Sequence, residues 1–331
     1  MANIKDVAEL AGVTVTTVSR VMNNRGYISD KTRENVFKAM EDLHYQPNDL
    51  ARALFRRRSN MLGLLLPSIS HPFFAELIER VEFYAYSSGY KILICNSQQD
   101  SVKEQEYINM LKRNQVDGII MGSHMLDVSA YDRISMPIVA IDRYISDRIP
   151  YIASDSYTGG KLATELLLAK GCRHLAHISG PLILNTPANR RYSAFIDVVQ
   201  ANGIPYKVLE TKLNNFDRKE YEELIHLLFE ECPEVDGIFA SSDLIAACII
   251  EVCISKGKRI PQDIKVVGYD DIFLAALFVP SITTIRQPID ELARLAVEII
   301  NRQSEGEEVS MENILPVELI ERKTTSEETS P

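Results

Sequence analysis

Near Met61 the chain settles into an alternation that persists to about residue 269. Short runs rich in Ile, Leu and Val, at 61–66, 91–95, 118–121, 138–141, 174–179, 237–240 and 264–269, are separated by amphipathic stretches of helical length. Such a run is a strand buried on both faces, and the stretch between two of them is a crossover, so the pattern predicts βαβ units and parallel sheets. Helices are expected over 72–87, with Pro72 in the first turn and Gly89 at the end, and over 158–169, stopped at Gly171. The string Val116-Asp117-Gly118-Ile119-Ile120 returns 119 residues later as Val235-Asp236-Gly237-Ile238-Phe239. That period is too long for a solenoid repeat. It predicts two similar α/β subdomains, with a ligand cleft between them at the carboxyl ends of the strands.

Before residue 61 the pattern changes. Ile4, Val7, Ala8 and Ala11 fall at i, i+3, i+4 and i+7 and make one apolar helix face; Gly12 breaks the helix, and Val18 and Val21 supply a second face. Two short helices meeting at a glycine turn predict a helix-turn-helix whose second helix covers 15–23. With Val18 and Val21 turned inward, Val15, Thr16, Ser19 and Arg20 face outward, toward a major groove. An arginine can bond bidentately to a guanine edge, and Val15 can touch a thymine methyl. Charge agrees: the first 60 residues hold ten Lys and Arg against seven Asp and Glu, the rest 26 against 39, so a chain of net charge −10 carries a basic head on an acidic body. On helix spacing alone, a small bundle that binds protein is the alternative.

The wording of the head goes further. Asp6-Val7-Ala8-Glu9-Leu10-Ala11-Gly12-Val13, then Thr17-Val18-Ser19-Arg20-Val21-Met22-Asn23, Ser29, Lys31-Thr32-Arg33, Ala39-Met40, Tyr45-Gln46-Pro47-Asn48, Ala51 and Leu54 resemble the lac-repressor (LacI–GalR) family. The resemblance continues into the body at Gly268-Tyr269-Asp270-Asp271 and Thr283-Thr284-Ile285 and covers essentially the whole chain. It implies an α/β protein with an N-terminal helix-turn-helix head and a two-subdomain, periplasmic-binding-protein-like body with parallel sheets. The expected divisions are 1–46 for the head, 47–59 for a hinge helix and linker, 60–156 with 286–316 for one body subdomain, and 157–285 with 317–331 for the other. It also implies a homodimer on a pseudo-palindromic double-stranded operator, with Thr14, Val15, Thr16, Thr17, Ser19, Arg20, Asn23, Tyr45, Asn48 and Ala51 at the DNA and Leu54 as a minor-groove wedge. Val15-Thr16 stands where family members differ, so the operator sequence does not carry over from a relative. The helical part of the hinge, from Asn48 to Phe55, is one or two turns, shorter than the ~12 to 15 residues at which an isolated helix becomes marginal in water, so it is expected to fold only on DNA.

In the body, Phe73 and Phe74, Asp142-Arg143, Ser242-Asp243 and Asp270 each follow a predicted strand. Aromatic faces and planar charged groups suit a sugar, whose C–H faces stack while its hydroxyls take charge-assisted hydrogen bonds. The resemblance implies Phe73 and Phe216 as stacking positions and Asp142, Arg143, Arg191, Ser242, Asp270 and Gln287 as hydroxyl binders. Two departures stand out: Ala194 replaces the glycine of the family's R-x-x-G-F, and Ser242 stands where many relatives carry Asn. Residues 69–79, 94–98 and 114–120 are most similar to sucrose-operon repressors of Gram-positive bacteria. The expected effector is therefore sucrose or fructose, phosphorylated or not, with ribose or another pentose as competitor and control by a phosphoprotein partner as a further alternative. Because the candidate contacts come from both subdomains, sugar is expected to close the cleft and release the operator.

Other readings fall away. Five cysteines in apolar segments without C-x-x-C spacing suit reduced core thiols. The first residues show no apolar leader, and the longest nearly apolar run, 244–254, is interrupted by Glu251, so a cytoplasmic protein away from the membrane is expected. Gly159-Gly160-Lys161 lacks the P-loop frame and reads as a glycine-permitted helix start. His174 and His177, three apart on a strand, point to opposite faces and share no metal. No G-x-S-x-G elbow occurs, so neither an enzyme nor a cofactor is expected. No apolar heptads follow Arg322-Lys323-Thr324-Thr325, which favours a dimer over a tetramer.

Overall fold

A computed structural model describes residues 2–45, 59–123, 125, 128–131, 133–183, 186–212 and 217–326. The chain divides into two compact units, Met1–Ser59 and Asn60–Pro331.

The first unit contains helices α1 (Ile4–Leu10), α2 (Val15–Met22) and α3 (Asp30–Asp42). Their core is Val7 and Ala8 from α1, Val18 and Val21 from α2, and Val36 and Ala39 from α3, pairs spaced one or three apart so that each helix turns one stripe inward. Asn3 and Asp6 form a capping box at the start of α1. Gly12, at φ +65°, takes the left-handed turn between α1 and α2 that a side chain would strain. Helix α2 ends at Met22 rather than Asn23, because Asn23 leaves the helix and its Nδ2 donates to the Ser19 carbonyl at 2.8 Å. The expected hinge, with Asn48, Ala51 and Leu54, lies outside the described residues.

The second unit contains two six-stranded sheets. Strands β1 (Met61–Leu66), β2 (Lys91–Asn96), β3 (Gly118–Met121), β4 (Ile138–Ile141) and β5 (Tyr151–Ser154) join the late β11 (Glu312–Leu315) in an all-parallel sheet ordered β11-β5-β4-β3-β1-β2. Strands β6 (Leu175–Ser179), β7 (Tyr206–Glu210), β8 (Gly237–Ala240), β9 (Lys265–Asp270) and β10 (Thr283–Arg286) build the other sheet in the matching order β12-β10-β9-β8-β6-β7, with β12 (Glu318–Ile320) antiparallel at its edge. The connecting helices are α4 (Pro72–Ser87), α5 (Ser101–Arg113), the single turn α6 (Val128–Tyr131), α7 (Ser156–Ala169), α8 (Arg190–Ala201), α9 (Arg218–Glu231), α10 (Asp243–Ser255) and α11 (Ile289–Ser304). In each sheet the winding reverses at the first strand, β1 in one and β6 in the other, which opens a crevice at the carboxyl ends.

The internal echo has a structural meaning. Gly118 opens β3 and Gly237 opens β8, equivalent strands of the two sheets. The preceding aspartates do the same work: Asp117 Oδ2 accepts from the Asn60 amide before β1 at 2.9 Å, and Asp236 Oδ1 accepts from the His174 amide before β6 at 2.9 Å. A Cβ at either glycine would come within 2.5 Å of a neighbouring side chain, Ile300 or Leu175.

Helix α7 starts at Ser156, two residues before the expected boundary, because Asp155 caps it by accepting from the Thr158 amide at 3.0 Å. Gly159 and Gly160 are therefore inside the helix rather than its start. A Cβ on Gly159 would lie 2.6 Å from the Tyr269 hydroxyl, and one on Gly160 would lie 2.6 Å from the Arg191 carbonyl oxygen, so the glycines let α8 and β9 approach. Strand β6 begins at Leu175, not His174. The apolar run 244–254 is the body of α10, packed in the core; among the described residues no helix is long and apolar enough to cross a membrane. The cysteines are free thiols, and burial pushes Cys172 and Cys253 up to about 12 and Cys95 and Cys248 up to about 11.

Candidate functional site

In the head, packing fixes which side of α2 faces out. Val18 and Val21 are fully inside, which leaves Val15 39% exposed, Thr16 and Arg20 exposed, and Ser19 half-buried on one outward face. Thr14 and Thr17 are tied into the helix start: Thr14 Oγ1 accepts from the Thr17 amide at 3.2 Å and lies 3.0 Å from Thr17 Oγ1. Asn23 closes the other end as described, and Tyr45 packs half-buried against the head core. Arg20, in the last turn, is the cation of that face, placed favourably for the helix dipole.

In the body, a cavity of about 460 Å³ opens at the carboxyl ends of both sheets. Seven of the eight expected effector residues line it: Phe73, Asp142, Arg143, Arg191, Ser242, Asp270 and Gln287. Phe216 lies outside the described residues. The topology explains the convergence, since Asp142 and Arg143 follow β4, Ser242 caps α10 after β8, Asp270 ends β9, Gln287 follows β10 and Arg191 lies in the first turn of α8. Phe73 is nearly buried in the core of α4, with Phe74 edge-on to it at 5.2 Å and more open to the cavity.

The polar groups are held by hydrogen bonds and stacking within the protein. Arg191 Nη1 donates to the Ser241 carbonyl at 2.9 Å, and its guanidinium carbon sits 3.5 Å from the centroid of the Tyr269 ring. Ser154 Oγ donates to Gln287 Oε1 at 2.7 Å, and Gln287 Nε2 donates to Asp270 Oδ1 at 2.7 Å, so one amide links the two sheets. Arg143 Nη1 donates to the Asp142 carbonyl at 2.9 Å. Ser242 Oγ accepts from the Ile245 amide at 3.3 Å; its O–H is left to donate. Asp142 (φ +51°) and Asp270 (φ +109°) both have positive φ, backbone strain concentrated where strands deliver their last side chains.

Burial raises the Asp142 carboxyl above its ordinary range, against the pull of Arg191 and Arg143. Asp270 is pushed up to about 7 by burial, opposed by Arg191 and the Gln287 hydrogen bond and assisted by Asp142. Asp142 Oδ1 and Arg191 Nε are buried without hydrogen-bond partners among the described residues. An acceptor and a donor of this kind, beside aromatic rings, suit a hydroxyl-rich ligand. No cluster of His, Cys, Asp and Glu among the described residues is arranged to hold a metal ion.

Several lining residues escaped the sequence reading. His71, Ser123, His177 and Tyr221 all border the cavity. Ser123 is fixed from below by Glu104, wholly buried at the start of α5, which accepts from Ser123 Oγ at 2.6 Å and from the Met125 amide at 3.1 Å. The available signal was a polar residue interrupting an apolar run, and in β6 that residue is His177.

Residues 3–48 match the family described as bacterial regulatory proteins, lacI family, and residues 164–325 match the periplasmic binding protein-like domain. The ribose operon repressor of Halalkalibacterium halodurans is 41% identical over 326 residues, 98% of this chain and 97% of that one. The sucrose operon repressor of Streptococcus mutans is 41% identical over 321 residues, 97% of this chain and 98% of that one. The crystal structure of the lac repressor dimer bound to operator and the anti-inducer ONPF has a TM-score of 0.87 at 27% identity, covering 98% of this chain and 99% of that one.

Proposed function

The chain belongs to the lacI family of bacterial regulatory proteins, and on that premise we propose that it is an inducible repressor of a carbohydrate-utilisation operon, released from its operator by a sugar in the cleft of the body. The observation that carries the sugar reading is the convergence of Asp142 and Arg143 from one sheet with Arg191 and Asp270 from the other on a single aromatic-walled cavity. A ligand that bonds both pairs holds the sheets in one relative arrangement. The head supplies the DNA contact through Val15, Thr16, Ser19 and Arg20, with Thr14, Thr17 and Asn23 shaping α2. A homodimer then places two heads on a pseudo-palindrome. The body's two subdomains are taken as 60–156 with 286–316 and 157–285 with 317–331, a division that parts the two sheets except at Arg286, the last residue of β10. The protein works in the cytoplasm, as a regulator with no reaction of its own.

Sucrose or fructose is the first effector to test and ribose the second, a ranking that leaves room for both because relatives named for sucrose and for ribose stand at the same 41% identity. The test begins with selection of bound sequences from random duplex DNA. The operator complex is then titrated with sucrose, fructose, their phosphates and ribose, with fluorescence anisotropy as readout. One of these sugars is expected to dissociate the complex. A sugar that tightens operator binding would make the protein corepressor-controlled, and silence from all of them would remove the sugar reading.

A further inference from the structure

His177 lies in the middle of β6, 1% exposed, with its ring stacked on Phe239 at 4.6 Å and tilted against Phe195 at 5.2 Å. Its Nδ1 is 2.9 Å from the Phe239 carbonyl oxygen. A carbonyl only accepts, so the ring proton sits on Nδ1 and the neutral imidazole presents a bare lone pair at Nε2. Burial lowers its pKa to about 4, so the ring is neutral across the physiological range. Nε2 has no hydrogen-bond partner among the described residues, yet His177 borders the same cavity as Arg191, whose Nε–H is also buried and unpartnered. A phenylalanine would fill the slot between two phenyl rings without stranding a polar atom. The histidine is therefore explained by something that occupies the cavity.

We propose that His177 is a specificity-determining contact of the cleft: Nε2 accepts a hydrogen bond from a hydroxyl of the bound sugar, and Arg191 Nε–H donates to an oxygen beside it. The proposal rests on the sugar reading above and sharpens it, because the effector must then carry a donor hydroxyl at the depth of β6. Deoxy or O-methyl analogues altered at that hydroxyl bind more weakly.

Sucrose, fructose, their phosphates and ribose are titrated calorimetrically into the full-length wild type, His177→Phe and His177→Gln, where glutamine restores an acceptor near the Nε2 position. For the sugar that binds, His177→Phe is expected to raise Kd roughly 10- to 100-fold and His177→Gln to recover most of the loss, while operator affinity without sugar stays at the wild-type level. The preference for that sugar over its deoxy analogues disappears in His177→Phe. In the wild type, the imidazole Nε2 nitrogen resonance shifts upfield when the sugar saturates the site, a readout that does not depend on any variant folding. Wild type that binds none of these sugars or sugar phosphates overturns the sugar reading and this inference together. Wild type that binds, with equal affinity in His177→Phe or an unmoved Nε2 resonance, overturns the inference alone.

Discussion

Asp270 ends β9 with its carboxylate buried and its pKa near 7, while an unfolded aspartate titrates near ~3.9. The sign follows from linkage. A raised folded-state pKa contributes stability that is fully present below about pH 4 and is lost as pH rises through about 7. A sugar hydroxyl donating to Asp270 favours the ionised form, so binding should release protons near and below neutrality. Titrations in two buffers of different ionisation heat should show that release at about pH 6 and none at about pH 8.5; equal proton counts at both would take Asp270 out of the ligand contacts. In the head, Arg20 is expected to read a base. Arg20→Ala should cost roughly 1 to 3 kcal/mol on the operator and relax preference at one position of each half-site, with little change on random duplex. Equal losses on both would reduce Arg20 to a phosphate contact.

Helices α7 and α8 show how an element, rather than a residue, sets the site. Gly160 brings α7 against the backbone of Arg191, where a Cβ would lie 2.6 Å from the carbonyl oxygen and 2.8 Å from Cα. Backbone atoms cannot rotate away as a side-chain end can. Gly160→Ala should therefore destabilise the body by about 1 to 3 kcal/mol, measured by denaturant unfolding. It should also weaken sugar binding, because Arg191 bonds Ser241 and stacks on Tyr269 only while α8 stays seated. Unchanged stability and affinity would mean that α8 shifts without consequence for the cleft. In the head, α2 is bounded by Thr14 at one end and Asn23 at the other, so its outward face is set by capping as much as by core packing.

For the whole molecule, the proposed induction is a coupling between two sites, and coupling is reciprocal. If sugar weakens operator binding, saturating operator must weaken sugar binding by the same factor, a coupling free energy of ~1 to 3 kcal/mol. Calorimetric sugar titrations with and without operator duplex measure one side of the cycle, and anisotropy with and without sugar measures the other. Unequal factors would mean that the two sites are not linked through a single pair of states. The charge distribution makes a companion demand: an acidic body of 39 Asp and Glu against 26 Lys and Arg should leave DNA contact to the head, with a salt dependence to match the few phosphates it reaches.

The sequence alone determined the elements whose residues are uniform in character. Runs such as Met61–Leu66 and Gly237–Ala240 were legible to the residue, because a strand covered on both faces tolerates little besides apolar side chains. The head was legible because its two inward stripes and glycine turn are local, and the echo at Asp117 and Asp236 was legible because the same hydrogen bond to the residue before a neighbouring strand is made twice. Short strands such as Tyr206–Glu210 and Glu312–Leu315 left no such mark, since edge and half-exposed positions accept mixed residues. The reason Gly159 and Gly160 are glycines, the buried hold of Glu104 on the loop after β3, and the place of His177 in the cavity wall were decided by the tertiary structure. Each depends on groups far apart in sequence, and a pattern read along the chain carries no distance between them.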